Sequence, residues 1–169
     1  MTSAVPPSYQ ELYNRYYPPV CRQLTYLLFD RAVAEELAQE VFLKLYNSPP
    51  REFQNIGGWL SKVATNLAYN YQRSEKSRRL REEKNGLPDQ AAVSSEERAI
   101  QNEAIRTVRQ VLDALPERDK LCLLMKHSGF SYNEIAAASG LKKSSVGTII
   151  ARAQARFKKM YLEQEGSGV

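Results

Sequence analysis

The chain reads as all-α: two small helical domains joined by a flexible linker. Three observations predict this. Almost every apolar run repeats at three- to four-residue spacing, the period that turns one face of a helix inward. No stretch needs the strict alternation of a strand. A polar, charge-rich segment with little apolar periodicity, Ser74 to Ser95, separates two groups of helical stripes.

The elements follow in order. From Tyr9 a stripe runs through Leu12, Tyr13, Tyr16, Tyr17, Val20, Leu24, Leu27 and Leu28. Pro18 and Pro19 are expected to kink or split this helix, because proline lacks an N–H and crowds the preceding turn. A second stripe uses Val33, Leu37, Val41, Phe42 and Leu45, with Glu35, Glu36, Gln39, Glu40 and Lys44 on its opposite face. Pro49-Pro50 and Gly57-Gly58 mark Ser48 to Gly58 as a loop. Trp59 to Arg73 returns to helical spacing through Leu60, Val63, Leu67 and Tyr71.

Ser74 to Ser95, containing Gly86 and Pro88, is a linker with a helical extension at its start. Ser94-x-x-Glu97 forms a capping box, opening a helix with Ile100, Ala104, Ile105, Val108, Val111 and Leu112 inward. Pro116 suits the first turn of the next helix, which packs Leu121, Leu124 and Met125 and closes at Gly129. The expected division is therefore 8–73, a linker over 74–95, and 96–162.

Ser131 to Lys159 carries two short helical patterns joined at Gly140. Ser131 and Glu134 form another capping box, Ile135 and Ala136 turn inward, and Gly140 supplies the left-handed residue that ends the helix. Leu141, Val146, Ile149 and Ile150 resume the apolar pattern. This is the spacing of a helix-turn-helix, whose second helix would read bases. The bland alternative is a helical hairpin with a solvated face. Charge favours the first reading. Lys142, Lys143, Arg152, Arg156, Lys158 and Lys159 follow one another with no carboxylate among them. A merely solvated helix mixes signs, whereas unmixed positive charge suits phosphate and counterion release.

Charge over the whole chain points the same way. The net charge of +5 on 169 residues divides as −1 over 1–50, +4 over 51–85, −2 over 86–120 and +4 over 121–169. Two basic blocks around an acidic stretch suggest two contacts with nucleic acid. The hydrophobic fraction of 43% allows packed cores, and 25% charged residues favour solubility. Cys21, Cys122 and His127 lack metal-ligand spacing, so no metal and no disulfide are expected. No cofactor is expected, and no catalytic constellation is visible. No apolar run approaches the roughly 20 residues that span a bilayer, and no signal pattern opens the chain. A cytoplasmic protein without membrane insertion is expected.

Asp30 to Tyr46, with Ala34-Glu35-Glu36-Leu37-Ala38-Gln39-Glu40-Val41-Phe42-Leu43-Lys44-Leu45-Tyr46, closely resembles region 2.2 of bacterial sigma factors. Trp59-Leu60-Ser61-Lys62-Val63-Ala64-Thr65-Asn66-Leu67-Ala68-Tyr69-Asn70-Tyr71 resembles regions 2.3 and 2.4. Leu115-Pro116-Glu117-Arg118 with the helix-turn-helix resembles region 4. Four motifs in this order, over roughly residues 8–162, resemble the extracytoplasmic-function group of the sigma-70 family. The resemblance implies a promoter-specificity factor for transcription initiation that binds RNA polymerase core through the β′ clamp helices and the β flap. It also implies recognition of −35 and −10 promoter elements, promotion of DNA melting, and restraint by an anti-sigma protein.

Residue by residue, the resemblance puts Glu36, Gln39, Glu40 and Leu43 against the polymerase core; the alternative is a solvated amphipathic face. Carboxylates and an amide suit a basic helical partner. Phe53, Asn55, Lys62, Asn66, Asn70 and Arg73 would meet the melted −10 strand. Amides, basic groups and the rings of Phe53, Trp59, Tyr69 and Tyr71 suit unstacked bases, with Lys76, Arg78 and Arg79 adding phosphate contacts. The loop Phe53 to Gly58 would hold a base turned out of the stack. Trp59, Leu60 and Val63 read as core.

Lys142, Lys143, Ser144, Ser145, Thr148, Arg152 and Arg156 would meet the −35 duplex through its major groove and phosphates. Val146, Ile149 and Phe157 read as core. The sequence departs from the family at three positions. It has Asn70 where Asp is frequent, Lys142 where a capping Ser is frequent, and Gly147 where Lys is frequent. The rival readings are a stand-alone helix-turn-helix regulator, which would bind duplex without polymerase, and an adaptor whose basic patches bind acidic proteins.

Overall fold

Side-chain caps set where the first helices begin. Ser8 and Glu11 form a complete capping box, the Ser8 hydroxyl accepting from the Glu11 N–H at 3.2 Å and the Glu11 carboxylate accepting from the Ser8 N–H at 3.2 Å. The Asp30 carboxylate accepts from the Val33 N–H at the start of the second helix. The computed structural model describes residues 7–86 and 96–167. Among them are seven helices and no strand: α1 Tyr9–Leu28, α2 Arg31–Asn47, α3 Ile56–Lys84, α4 Glu96–Ala114, α5 Glu117–Ser128, α6 Tyr132–Ser139 and α7 Lys143–Gly166. No helix among the described residues is long and apolar enough to cross a membrane.

The all-α, two-part reading is the fold observed: α1–α3 form one helical unit and α4–α7 the other. Leu24, Val41, Phe42 and Leu60 are buried at the centre of the first, and Cys122, Met125, Ile135, Val146 and Ile150 at the centre of the second. The two units also pack on each other. α1 meets α5 and α3 meets α6, so a single hydrophobic cluster runs through both. Polar bonds accompany that contact. Arg22 Nε donates to the Ser128 carbonyl at 2.8 Å, an Arg109 guanidinium nitrogen donates to the Leu28 carbonyl at 2.9 Å, and the Tyr69 hydroxyl donates to Glu117 at 2.7 Å.

Several expectations need correction. Pro18 and Pro19 lie inside α1, which is not split. The carbonyls they leave without helical donors belong to Asn14 and Arg15, both exposed residues, and near solvent water can replace the lost bonds. Gly57 and Gly58 are not loop residues but the first turn of α3, buried under α6. The helical extension of α3 runs as far as Lys84. Pro116 stands just before α5 rather than inside it, with ψ 142°. Ala104 and Ile105, expected inward, are exposed, because α4 packs through Val108, Val111 and Leu112 further along. The side chain of Ile100 and the Ser94–Glu97 box lie outside the described residues.

Candidate nucleic-acid interface

Three exposed faces gather the residues that sequence reasoning singled out. The first is the solvent side of α2. Glu36, Gln39, Glu40 and Leu43 are exposed at the three- and four-residue spacing of one helix face. Leu43 is 57% exposed and Tyr46, one turn on, is 69% exposed. Apolar groups of that size, rimmed by carboxylates and left in water, suit a protein partner with apolar and basic groups. Sequence reasoning did not assign Tyr46 to this face, although its spacing from Leu43 was visible. The Tyr46 ring meets the Tyr9 ring edge-on, 5.5 Å between centroids, which fixes its direction.

The second face is a stripe along α3. Lys62, Asn66, Asn70 and Arg73 are all exposed and follow one another one turn apart. They stand opposite Leu60, Ala64 and Ala68, which are fully buried. An Arg73 guanidinium nitrogen donates to the Asn70 amide oxygen, so the two polar heads are already oriented together. The apolar side of α3 therefore fixes the polar side in space.

The loop before α3 contributes Phe53, half-buried, and Asn55, exposed with φ 61°. Asparagine tolerates this left-handed conformation better than most residues. The expected stacking rings are less available than the sequence suggested. Trp59 and Tyr71 are half-buried against the core. Tyr69 is committed to Glu117 of the second unit, with Lys120 Nζ 6.0 Å from its ring centroid. Burial first, and then the Glu117 carboxylate, raise its phenol pKa well above the ordinary value. Among the basic groups, Arg78 is held by Glu75 at 2.9 Å and Glu82 at 3.6 Å.

The third face is the start of α7. Lys142, Lys143, Ser144, Thr148 and Arg152 are exposed, and Ser145 is half-buried. Val146, Ile149 and Ile150 anchor the opposite side in the core. Lys142 occupies the N-cap position and makes no side-chain cap bond, which leaves the positive end of the helix open to an anion. Gly140, with φ 73°, makes the turn between α6 and α7. Arg156 is not free of carboxylates as its sequence neighbourhood implied: Asp119 of α5 lies 3.9 Å away. At this exposure the pair contributes little.

The second capping box is only half made. Ser131 accepts from the Glu134 N–H at 3.2 Å and donates to Glu134 Oε1 at 2.8 Å. The carboxylate does not return to the Ser131 N–H; it turns into the contact with α3, where Oε2 is buried without a hydrogen-bond partner. Burial and then the Glu134 charge raise the pKa of the neighbouring Tyr16 phenol. No group of three or more His, Cys, Asp or Glu residues among those described is placed to hold a metal ion.

Residues 12–78 match the family described as Sigma-70 region 2, and residues 105–156 match Sigma-70, region 4. The chain is similar to "RNA polymerase sigma factor SigZ" of Bacillus subtilis, with 23% identity over 89% of this chain and 85% of that protein. It is also similar to "ECF RNA polymerase sigma factor SigX" of the same organism, with 26% identity over 83% of this chain and 77% of the relative. Its fold resembles that of the sigma factor RpoE, solved in complex with the anti-sigma factor NepR from Bartonella quintana. There the TM-score is 0.57 and the identity 19%, over 90% of this chain and 95% of that one. CnrH, solved with the cytosolic domain of CnrY, gives the same TM-score of 0.57 at 17% identity, over 90% of this chain and 86% of that one.

Proposed function

This chain belongs to the sigma-70 family, in its extracytoplasmic-function group, as a promoter-specific transcription initiation factor, and from that premise we propose how its three faces divide the work. Like its family, it acts by recognition and not by turnover. The α2 face, Glu36, Gln39, Glu40 and Leu43, docks on the β′ clamp helices of RNA polymerase core, with Tyr46 at its edge. The second unit meets the β flap. The α3 stripe with Phe53 and Asn55 holds the −10 strand once it is opened, and the start of α7 enters the major groove of the −35 duplex. Polymerase sets the distance between the two readers, and each weak contact gains from being tethered to the other.

The observation that carries this division is the alignment of Lys62, Asn66, Asn70 and Arg73 on one exposed, otherwise unoccupied stripe. Two amides flanked by two cations supply base-edge donors and acceptors together with phosphate contacts, the combination that single-strand recognition uses. The protein works in the cytoplasm, where polymerase and promoter meet. An anti-sigma protein would restrain it, as the RpoE relative was captured with one.

The test is transcription in vitro with core polymerase over a promoter library, run beside the Glu40→Lys variant. The intact chain should enrich upstream hexamers only when core is present. Glu40→Lys should weaken core association about tenfold, a loss of about 1.4 kcal/mol. Promoter binding by the chain alone, equal to that with core, would favour a stand-alone regulator. Unchanged core affinity of the variant would remove α2 from the polymerase interface.

A further inference from the structure

We propose that Tyr9, in the first turn of α1, is a positioning residue for polymerase binding. It holds Tyr46 of α2 in one direction, and Tyr46 with Leu43 forms an anchor that sets how long core polymerase stays bound. This inference rests on the polymerase reading of the α2 face given above and extends it to a second helix.

Exposure gives the first reason. Among the described residues no large apolar or aromatic side chain is more exposed than Tyr46, and Leu43 lies one turn before it. Tyr9, 38% exposed, brings a third such group to the same place from another helix. Single exposed apolar residues are ordinary on a protein surface, but adjoining ones mark a place where a partner binds. With Glu36 and Glu40 exposed on the same face of α2, the patch has an apolar centre and a charged edge, the layout of a protein interface. Continuity with the α2 face commits the anchor to the same occupant, polymerase core.

The geometry around Tyr9 supplies the second reason. Its ring stands edge-on to Tyr46, 5.5 Å between centroids at 82°, an arrangement that aromatic pairs favour. Its hydroxyl donates to the Phe42 carbonyl at 3.2 Å. A carbonyl oxygen has two lone pairs, so this bond is compatible with the helical one from the Tyr46 N–H. α1 is thereby tied to α2 one turn before the exposed ring. Burial first, and then Tyr13 and Tyr46, push the Tyr9 phenol above its ordinary pKa, which keeps the donor proton in place. Behind Tyr9 the rings continue inward, to Tyr13 at 6.3 Å and from Tyr13 to the buried Phe42 at 5.0 Å. The Ser8–Glu11 capping box fixes the turn that carries Tyr9, where an uncapped helix end would fray.

A side chain as exposed as Tyr46 would otherwise sample several rotamers, and ordering it on binding would cost affinity. Tyr9 removes that cost in advance. Carboxylates and anchor then do different work. Charges at the rim govern the rate of encounter, whereas a desolvated aromatic anchor governs departure.

Association and dissociation of full-length variants with core polymerase, followed at several salt concentrations, test this division. Tyr46→Ala should speed dissociation about tenfold and Tyr9→Ala about threefold. Association rates should stay within about twofold of wild type. Tyr9→Ala should add nothing in the Tyr46→Ala background, because it acts through that ring. Tyr9→Phe keeps the ring, gives up the bond to Phe42, and should restore most of the residence time. A fold merely loosened by Tyr9→Ala would lower the competent fraction and slow association instead, and that result would overturn the proposal. Equal losses from Tyr9→Ala with and without Tyr46 would also overturn it, by making Tyr9 a direct contact. Unchanged dissociation of Tyr46→Ala would remove the anchor altogether. Slowed association of Glu40→Lys would then leave the polymerase reading standing, whereas no binding of the wild-type chain to core would remove both.

Discussion

The two candidate reading helices, α3 and α7, both begin without a side-chain cap, yet the structure treats their open ends differently. At α3 the start is covered by another part of the chain, with Glu134 pressed against Gly57. At α7 the start stands in solvent behind Lys142 and Lys143. Their exposed sides differ as well. α3 presents amides between widely spaced cations, whereas α7 presents adjoining lysines and hydroxyls. Open phosphate-facing charge suits a closed duplex, whose backbone is always available. Amides set between cations suit bases that become available only after melting.

That contrast can be broken by substitution, and the largest effect is expected on α3. Asn66→Ala removes a donor–acceptor pair from an exposed position and should cost about 1–3 kcal/mol of discrimination among −10 sequences. Preference at −35 should stay intact. A promoter-library readout checks both, and equal loss at the two elements would deny that the helices read different things. Arg152→Ala should act on duplex alone. It should weaken binding nearly uniformly across sequences and lower the slope of log affinity against log salt by about one. A salt titration of holoenzyme on duplex promoter measures this, and an unchanged slope would take Arg152 off the phosphates.

The smallest effect sharpens the contrast within α7. A Cβ on Gly147 would lie 3.6 Å from Tyr132 Cε2, an ordinary contact. Gly147→Ala should therefore stabilise the chain by up to about 1 kcal/mol. If close approach to the DNA backbone is what glycine provides there, duplex affinity should fall as thermal stability rises. Gain in both would assign Gly147 no role in binding.

Helical periodicity was enough to find the elements, because each stripe is written in consecutive turns. Leu24, Phe42, Leu60, Met125 and Ile150, all picked from spacing alone, are buried to within 1% or fully. The exposure of Lys62, Asn66, Asn70 and Arg73 followed from the same period. What escaped detection depends on residues far apart in the chain. The Pro18-Pro19 pair looked like a break because the exposure of Asn14 and Arg15, one turn before it, is a tertiary fact. Gly57-Gly58 looked like a turn because nothing nearby announces that α6 lies on top of it. Tyr69 looked like a stacking surface because its partner, Glu117, is 48 positions away. Ser131-x-x-Glu134 had the correct motif and a different use, since the other unit claimed its carboxylate. Ser8-x-x-Glu11, like Tyr46, was overlooked although local; it is the same motif, fully formed.

The glycine pair at the head of α3 has a consequence for anyone who would make this molecule sturdier. The standard recipe replaces helical glycine with alanine and expects a tougher product. Here it would harden one rod while driving a methyl group into α6, so helix propensity and close packing compete for the same two codons. The softer start of that helix is what lets the neighbouring unit sit so near.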